Sequence, residues 1–477
     1  MMPIIFLLCT QSTLGKEIHY ELQSKGNIKH LDSVFFGHNG VEGHYWKDAN
    51  FITGLSRINN QFIRIPGGTQ SNYWDWKRGK FTRKKIGVAW VAAKNPARVK
   101  IKDYAKAIHK SSITPIFVLN MLTSNLKKQV SALKKFQRYG VRIQFVELGN
   151  EFYQDIPDHL SRYPTVDDYL DEAESYVAKL RTTFPGVKIA VIGNTRERNY
   201  DRGNSWNKAL AKRNLAGADA VTMHIYGFNG EQVTRPPIAI SDAQVLKFPE
   251  QEIMIEKLVQ KPNDVIEVWE KFFRNDFAVN TPVWVTEFGI LWLNRYDDIS
   301  GLWIHGLQNI ILAFHLMHIE STELLTQHAY IGNNNFGHLF ANQNTFFTKT
   351  NGVLTTEKYG FTAKGYQIDL LQKFLDHATS IEPQALSSIG QKIDTSANNV
   401  LASMAVRESG KSLLLINTGE DSVKINLPEG FEDFHGQTVY ANPLQRVRDS
   451  DDVHRESLSN KLNPLVIQPY SVSLLSK

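Results

Sequence analysis

Between residues 34 and 375, short β-branched and apolar runs alternate with longer segments of helical spacing. This order is typical of βα units that form a parallel sheet. Eight runs qualify as strands: Val34–Asn39, Phe62–Gly68, Thr114–Asn120, Arg142–Glu151, Lys188–Asn194, Ala220–Tyr226, Pro282–Gly289 and Leu324–Gly332. Eight strands, each followed by a helix, predict an α/β fold of the (β/α)8 TIM-barrel type. A doubly wound open sheet is the alternative, but no glycine-rich fingerprint follows the first strand.

The segments between these strands show the spacing of helices. In residues 125–139, Leu126, Val130, Leu133 and Phe136 recur every three or four positions. This spacing places the four side chains on one helical face, which a barrel buries against its strands. The same reasoning predicts further helices over Val166–Phe184, Gln251–Arg274, Ile304–Ile319 and Tyr366–His377.

After residue 380 the pattern changes to short alternating strands separated by turn residues. The predicted strands are Val400–Val406, Leu413–Asn417, Ser422–Leu427, Thr438–Ala441 and Leu465–Leu475. These predict a smaller C-terminal β-sandwich over residues 380–477, beside a catalytic barrel over residues 34–379. Residues 16–33, with alternating Ile18, Tyr20 and Leu22, supply a further strand to the same sandwich.

The N-terminus and the cysteine content bear on the compartment. Residues 1–15 contain an apolar run followed by small and polar residues, although no basic residue precedes the run. We expect a shortened signal peptide and a secreted or periplasmic protein. The single cysteine, Cys9, excludes an intramolecular disulfide framework and a cysteine-based zinc site. The longest apolar stretch, residues 306–317, is interrupted by polar side chains, so no membrane span is predicted.

Two glutamates stand at the ends of predicted barrel strands. Barrel enzymes carry their reacting groups at the carboxyl ends of the strands, around an open mouth. The fourth strand ends at Glu151 and the seventh delivers Glu287. Two carboxylates across a pocket suit glycoside cleavage, because one protonates the leaving oxygen while the other attacks or stabilises the anomeric carbon. For either glutamate alone, a salt-bridged or exposed carboxylate is the alternative, and their joint placement favours a catalytic pair.

The motifs at these positions carry a family resemblance. Leu148-Gly149-Asn150-Glu151 and Val285-Thr286-Glu287-Phe288-Gly289 resemble those of the retaining glycoside hydrolase clan that is built on a (β/α)8 barrel. Phe62-Ile63-Arg64-Ile65-Pro66-Gly67-Gly68 is similar to the second-strand motif of the arabinofuranosidase and heparanase/β-glucuronidase families. The predicted architecture, a barrel with a sandwich made from both ends of the chain, is also similar to that of these families.

The resemblance implies a role for each matching residue. Glu151 is the expected acid/base and Glu287 the expected nucleophile. Asn150 is expected to bind the sugar 2-hydroxyl, and Arg64 to hold Glu287 ionised. His224 and Tyr226 match the sixth-strand pattern that contacts the nucleophile, the alternative being a core histidine and a packed tyrosine. At the eighth strand, where several clan members have tryptophan, this chain has Gln327-His328-Ala329-Tyr330.

The substrate is predicted from charge and aromatic residues. The segment 77–85 holds six basic and no acidic residues, and the chain has a formal net charge of +6. Arg196, Arg198, Arg202 and Arg235 follow the fifth and sixth strands. Arginine pairs with carboxylate or sulfate, and the rings of Trp74 and Trp76 offer faces for stacking on sugars. We therefore expect an acidic glycan substrate, either uronate-containing or sulfated. A neutral glycoside, with the basic loop merely solvated, is the alternative.

Other function classes receive less support. No recognition helix, RNA-binding sheet motif or metal finger accompanies the basic residues, so no nucleic-acid partner is expected. Signatures of phosphate loops, nucleophile-elbow serines and His-Glu-x-x-His helices are absent from the sequence, so we expect no cofactor and no metal. A carbohydrate-binding pseudoenzyme and a transglycosylase remain open, since transglycosylation shares the covalent intermediate. The sequence does not indicate an oligomeric state.

Overall fold

The computed structural model describes residues 19–40, 46–56, 61–82, 98–195, 201–228, 250–291, 301–331, 339–341, 359–388, 399–431, 433–447, 450–459 and 464–477. Up to residue 361 the strands are β1 (His19–Ser24), β2 (Lys29–His30), β3 (Phe36–Asn39), β4 (Phe62–Ile65), β5 (Trp74–Asp75), β6 (Lys80–Phe81), β7 (Thr114–Val118), β8 (Phe145–Glu147), β9 (Lys188–Ile192), β10 (Ala220–Phe228), β11 (Val283–Leu291), β12 (Thr322–Gln327), β13 (Leu339–Ala341) and β14 (Tyr359–Phe361). Beyond it follow β15 (Ser380–Ser388), β16 (Val400–Arg407), β17 (Gly410–Asn417), β18 (Val423–Asn426), β19 (His435–Tyr440), β20 (His454–Ser459), β21 (Leu465–Ile467) and β22 (Ser471–Ser476).

Eight of these strands close into a parallel barrel in the order β3, β4, β7, β8, β9, β10, β11 and β12. Each of the eight strands predicted from the sequence is present, so the predicted TIM barrel is confirmed. The strands are short and apolar because both of their faces are covered, one by the barrel interior and one by the surrounding helices. Their carboxyl ends meet at one open end, which we call the mouth.

The helices around the barrel begin and end at identifiable signals. Those described are Ala49–Leu55, Ile101–Ser111, Leu126–Arg138, Pro157–Arg162, Val166–Thr183, Asp201–Lys212, Glu250–Asp276, Trp303–His318 and Ala363–Leu375. Asn125 caps the third of these by accepting a hydrogen bond from the Lys128 amide. Thr165 and Asp168 form a reciprocal capping box at the fifth, which satisfies amides that the helix leaves unpaired.

The second domain is a mixed sheet built from strands near both ends of the chain. Its strands pair in the order β20, β19, β22, β17, β16, β15, β1, β18 and β21, and β2 also pairs with β15. Strand β1 is internal, because it pairs antiparallel with β15 and parallel with β18. The predicted β-sandwich is thus confirmed as a fold.

Alternation along β17 shows how this sheet joins the barrel. Leu413 and Leu415 lie in the sandwich's own core with Tyr20 and Ile425. Leu414 and its neighbours on the opposite face belong to the large core shared with the barrel helices. Since side chains alternate across a strand, one strand serves both cores. Within the described ranges, no helix has both the length and the apolar character needed to cross a bilayer.

Candidate active site

Arg64, at the end of β4, is the centre of a buried polar cluster at the mouth. Its side chain is fully buried and its guanidinium forms two parallel bonds to Glu147, from Nε to Oε2 at 2.6 Å and from Nη2 to Oε1 at 2.9 Å. Nη1 donates to Oε1 of Glu287 at 2.6 Å, and Nη2 donates to Oδ1 of Asn150 at 2.8 Å. One arginine therefore fixes the ends of the fourth and seventh barrel strands relative to the second.

Glu287 is held by donors on both of its oxygens. Arg64 engages Oε1, and the Tyr226 hydroxyl donates to Oε2 at 2.6 Å. Burial raises the pKa of this carboxyl, but the positive charges of His224 and Arg64 and the Tyr226 hydrogen bond outweigh burial and hold the pKa well below its usual range. Glu287 is therefore ionised at neutral pH, as a nucleophile must be.

Glu151 lies across the pocket in a different environment. It receives hydrogen bonds from the Tyr153 hydroxyl at 3.1 Å and from Nε2 of Gln154 at 2.8 Å, and Nδ1 of His224 lies 2.9 Å from its Oε1. Glu287 and Glu147, in contrast, both form salt bridges with the guanidinium of Arg64.

His224 connects the two carboxylates. Besides its contact with Glu151, Nδ1 lies 3.7 Å from Oε2 of Glu287, and Nε2 lies 3.9 Å from Oε1 of Glu147. Burial lowers the pKa of His224, but the nearby carboxylates of Glu287, Glu147 and Glu151 raise it to about 9. The imidazole therefore carries a positive charge at neutral pH. One oxygen of Glu151, one nitrogen of His224 and one oxygen of Glu287 lie within 4.8 Å of one another.

Strand geometry explains these placements. A register shift between Met223 and His224 brings His224 opposite Glu287 across β10 and β11. The predicted fourth strand overran its true end, because β8 stops at Glu147. Gly149 and Glu151 then adopt positive φ values of 96° and 51°, which end the strand and turn Glu151 into the pocket.

The structure brings together Glu151, Glu287, Arg64, Asn150, His224 and Tyr226, six of the eight residues proposed from the sequence. It does not bring Trp74 and Trp76 to them. These rings are only 1% and 6% exposed, and both pack edge-to-face against Tyr104. Helix 101–111 covers them, so their predicted role as sugar platforms lacks an exposed ring face.

Three further residues of the cluster escaped the sequence analysis. Glu147 is buried with Arg64, and Nδ1 of His328 lies 3.3 Å from Oε2 of Glu287. Asn39 donates to the Thr286 carbonyl and contacts His328. All three stand at the carboxyl ends of barrel strands, and that position is the signal that would have marked them. Burial lowers the pKa of His328, so this imidazole is neutral beside Glu287.

Glu151, His224 and Glu287 are also of the residue types that bind metals. A metal would require His224 to be neutral, since only the unprotonated imidazole is a ligand. In this site Arg64 and protonated His224 already balance the two carboxylates of Glu147 and Glu287. The residues present therefore suit acid–base and nucleophilic chemistry better than a metal centre.

Comparisons with known proteins agree with this architecture. No family model and no curated protein matches the sequence. A GH51 α-L-arabinofuranosidase from Thermotoga petrophila has a similar structure, with a TM-score of 0.64 and 13% identity over 97% of this chain and 100% of that one. The chain has the fold of these glycoside hydrolases. The resemblance inferred from the motifs is confirmed at this level.

Two other solved structures extend the likeness. A 4-O-α-L-rhamnosyl-β-D-glucuronidase from Fusarium oxysporum has a TM-score of 0.61 and 13% identity, over 96% of this chain and 100% of that one. A conserved exported protein from Bacteroides fragilis has a TM-score of 0.58 and 12% identity, over 96% and 100% of the two chains. The fold therefore occurs with both a neutral-sugar and a uronate-directed enzyme.

Proposed function

We propose that this protein is a retaining glycoside hydrolase in which Glu287 is the nucleophile and Glu151 the acid/base. The observation that carries the proposal is the separation of the pair, whose facing oxygens lie within 4.8 Å. Retaining enzymes hold their carboxyl groups about 5–5.5 Å apart, whereas inverting enzymes need about 6.5–9.5 Å to admit a water molecule. The short separation supports direct attack by Glu287.

The first step forms a covalent intermediate. Ionised Glu287 attacks the anomeric carbon, the glycosidic C–O bond breaks, and protonated Glu151 delivers its proton to the departing oxygen. With Glu151 neutral, the charges of Glu147 and Glu287 are balanced by Arg64 and His224. As Glu287 becomes an ester, Arg64 keeps its two bonds to Glu147 and so stays in place.

The second step regenerates the enzyme. Glu151, now a carboxylate, takes a proton from water as the water oxygen attacks the anomeric carbon and the bond to Glu287 breaks. Tyr153, Gln154 and His224 all lie where they stabilise that carboxylate. An acceptor sugar in place of water gives transglycosylation. The anomeric configuration is retained in either case.

For the substrate, we propose an acidic polysaccharide or oligosaccharide. The basic segment after the second barrel strand supports this, and so does the likeness to a uronate-directed enzyme. Of that segment, residues 83–85 lie outside the described residues, as do Arg196, Arg198 and Arg235. An α-L-arabinofuranoside is the second candidate, because Arg64, which lies beside Glu287, is already engaged by Glu147, Glu287 and Asn150.

The test is product analysis on a panel of uronate, sulfated and neutral glycans, with wild type beside Glu287→Gln. Proton NMR of the first product formed distinguishes retention from inversion. We expect retention, and a loss of activity in E287Q with unchanged folding by circular dichroism. Inversion would overturn the proposed mechanism. Glycan binding without turnover would favour the pseudoenzyme, and activity confined to arabinosides would replace the acidic substrate by the neutral one.

We also propose that the protein is exported. The support is the apolar run within residues 1–15 and the likeness to an exported protein. Residues 1–15 lie outside the described residues. Fusing them to a reporter that is active only outside the cytoplasm tests the proposal, and an inactive reporter would contradict it.

A further inference from the structure

Charge is distributed very unevenly along this chain. Residues 76–146 contain eighteen lysines and arginines and a single acidic residue, Asp103. This stretch alone has a formal charge of +17, while the whole chain has +6, so the remaining residues carry −11. The stretch corresponds to the second and third βα units of the barrel, which are neighbours. The described residues of this stretch, 76–82 and 98–146, hold fourteen of the eighteen cations and make one side of the barrel strongly basic, although the molecule as a whole is only mildly so.

A groove of about 1250 Å³ lies on this side. One wall comes from the segments around the β5–β6 hairpin and carries Lys77, Arg78 and Arg98. The other wall is helix 126–138, which contributes Lys127, Lys128, Lys135 and Arg138. Within the part of the chain that the structure describes, none of these seven side chains forms a salt bridge with a carboxylate.

The groove's lining contains one carboxylate. Asp75 is the acidic residue of the lining, and its Oδ1 accepts hydrogen bonds from the backbone amides of Lys77 and Arg78 at 2.9 and 3.1 Å. It thereby stabilises the turn of the hairpin. The lining therefore holds seven cations against one carboxylate, a formal charge of +6, which is the arrangement expected of a surface that binds polyanions.

Part of the groove lies at the mouth end of the barrel, because its lining includes Asn120 and Thr123, which follow β7. Asn120 and Thr123, in its lining, donate to the carbonyls of Trp74 and Asn72 at 3.0 and 2.9 Å. Asn72 in turn donates to the Asn150 carbonyl at 2.8 Å, directly beside Glu151. Hydrogen bonds therefore connect the lining of the groove to the backbone beside Glu151.

We propose that this groove is a secondary binding site for an acidic polysaccharide, which it holds by carboxylate or sulfate groups while part of the same chain extends to the mouth. The choice of a polysaccharide rests on the proposed function, because the mouth carries a pair of glycoside-cleaving carboxylates. Single-stranded nucleic acids are bound on successive exposed aromatic rings. Here Trp74 and Trp76 are buried, and among the aromatic residues lining the groove only Tyr139 is substantially exposed, at 42%.

The test measures binding without turnover, in the Glu287→Gln background. Lys127, Lys128 and Lys135 are replaced together by glutamine, which removes three charges and keeps good helix formers. The control replaces Lys179, Lys212 and Lys271, exposed lysines on other barrel helices, in the same way. The probes are heparin, dextran sulfate, uncharged dextran and a DNA duplex, at low salt and at 0.5 M NaCl.

We expect the groove variant to bind heparin and dextran sulfate about tenfold more weakly, because three exposed charge contacts together are worth about that factor. The control variant should change binding less than twofold, uncharged dextran should not bind the groove, and high salt should abolish the difference. Equal effects of the two triple variants would overturn the proposal. Tighter binding of the DNA duplex than of heparin, lost in the groove variant, would overturn the choice of a polysaccharide.

A second measurement separates this site from the catalytic one. In an otherwise wild-type chain, the groove variant should raise KM for an acidic polymer while leaving kcat/KM for a small aryl glycoside unchanged. An equal loss on both substrates would contradict a separate site. A wild type that cleaves no glycan, but whose E287Q form still binds heparin through the groove, supports the groove and contradicts only the glycosidase proposal.

Discussion

Three glutamates of one pocket differ in their partners, and their partners decide what each can do. Glu147 is fully buried and forms two bonds to Arg64. Burial raises the pKa of Glu147, but the charge of the guanidinium outweighs burial and lowers the pKa below its usual value. Glu287 shares the same arginine but also faces the pocket. Glu151 receives hydrogen bonds from Tyr153 and Gln154 and lies beside His224. We therefore assign Glu147 to positioning Arg64, and the two glutamates that face each other to the chemistry.

Replacing Glu151 by alanine tests its role as acid/base. For a glycoside with a poor leaving group, we expect kcat/KM to fall by roughly 10²–10⁴-fold, the usual contribution of a general acid. An aryl glycoside with a strongly acidic phenol needs no protonation, so its first step should be nearly unaffected. Azide, a nucleophile that needs no base, should then restore turnover and give a glycosyl azide of retained configuration.

Glu172→Ala is the control for that experiment. Glu172 pairs with Arg162 and Tyr163 away from the pocket, so kcat/KM should be unchanged. A uniform loss in E151A on both classes of glycoside, without azide rescue, would assign Glu151 a structural role instead.

His224 should give stability a specific pH dependence. Its pKa is about 9 in the folded protein and about 6.5 when unfolded, so its contribution is complete below pH 6.5 and is lost as pH rises towards 9. The advantage of wild type over His224→Gln in unfolding free energy should therefore shrink by roughly 1–2 kcal/mol between pH 7.5 and 9. Urea denaturation at several pH values measures it.

His305 provides a control of opposite sign. It is equally buried, but burial lowers its pKa to about 3, so it is neutral throughout this range. The difference in unfolding free energy between wild type and His305→Gln should be constant from pH 7.5 to 9. Relative to that variant, wild type should lose stability only as pH falls below about 6.5. Parallel curves for the two variants would show that His224 is not protonated in the native site.

At the residue scale, the sequence predicts the parts of the site that depend on local position. Glu151, Glu287 and Arg64 are recognisable because each stands in a motif at a strand end. The pairing of Arg64 with Glu147 cannot be recognised in the sequence, because these residues are 83 positions apart and only barrel closure brings them together. The sequence predicts that Trp74 and Trp76 stack on sugar. Helix 101–111 buries both rings, and no local sequence pattern encodes that packing.

At the scale of elements, the barrel strands were predictable because both of their faces are buried and they contain continuous apolar runs. The ends of the strands were less predictable. The apolar pattern of the fourth strand continues past Glu147, but the left-handed backbone at Gly149 and Glu151 ends the ladder there. Strands β15 and β20 of the second domain were not predicted. The burial pattern of β20 shows why, because five of its six residues are exposed and it lacks an apolar face.

The packing of helix 303–318 on helix 363–375 depends on a glycine. A Cβ atom at Gly306 would lie 2.4 Å from Nε2 of Gln367 and 2.8 Å from the Ala363 carbonyl oxygen. Gly306→Ala should therefore lower the unfolding free energy by about 1–3 kcal/mol, despite the better helix propensity of alanine. Chemical denaturation measures the change.

Gly54→Ala is the matched variant in helix 49–55. The nearest atom to its added Cβ is the Tyr330 hydroxyl oxygen at 3.4 Å, an ordinary contact. Here we expect no loss, or a gain of up to about 1 kcal/mol. If both variants gained stability, the two helices would lie further apart than the structure places them.

At the scale of the whole molecule, the second domain accepts hydrogen bonds from a barrel helix as well as packing against the barrel. The first amides of helix 303–318 are satisfied by that domain, since Trp303 and Ile304 donate backbone bonds to the carbonyls of Gln445 and Pro443, each at 2.9 Å. The Trp303 indole also donates to the Tyr470 carbonyl at 2.6 Å. The same helix supports β11, which carries Glu287, so the sheet domain bears on the position of the nucleophile.

This coupling predicts that barrel and sheet unfold together. Leu415 lies fully buried in the sandwich's own core, away from the barrel, and its replacement by alanine should cost about 2–5 kcal/mol. Because β1 is held between β15 and β18 and the sheet caps a barrel helix, that loss should lower one shared transition by a few degrees. Leu307→Ala, in the barrel core, should shift the same transition similarly. Differential scanning calorimetry checks this: a second, earlier endotherm in L415A alone would mean that the sheet melts independently and that its contacts with helix 303–318 do not hold the barrel.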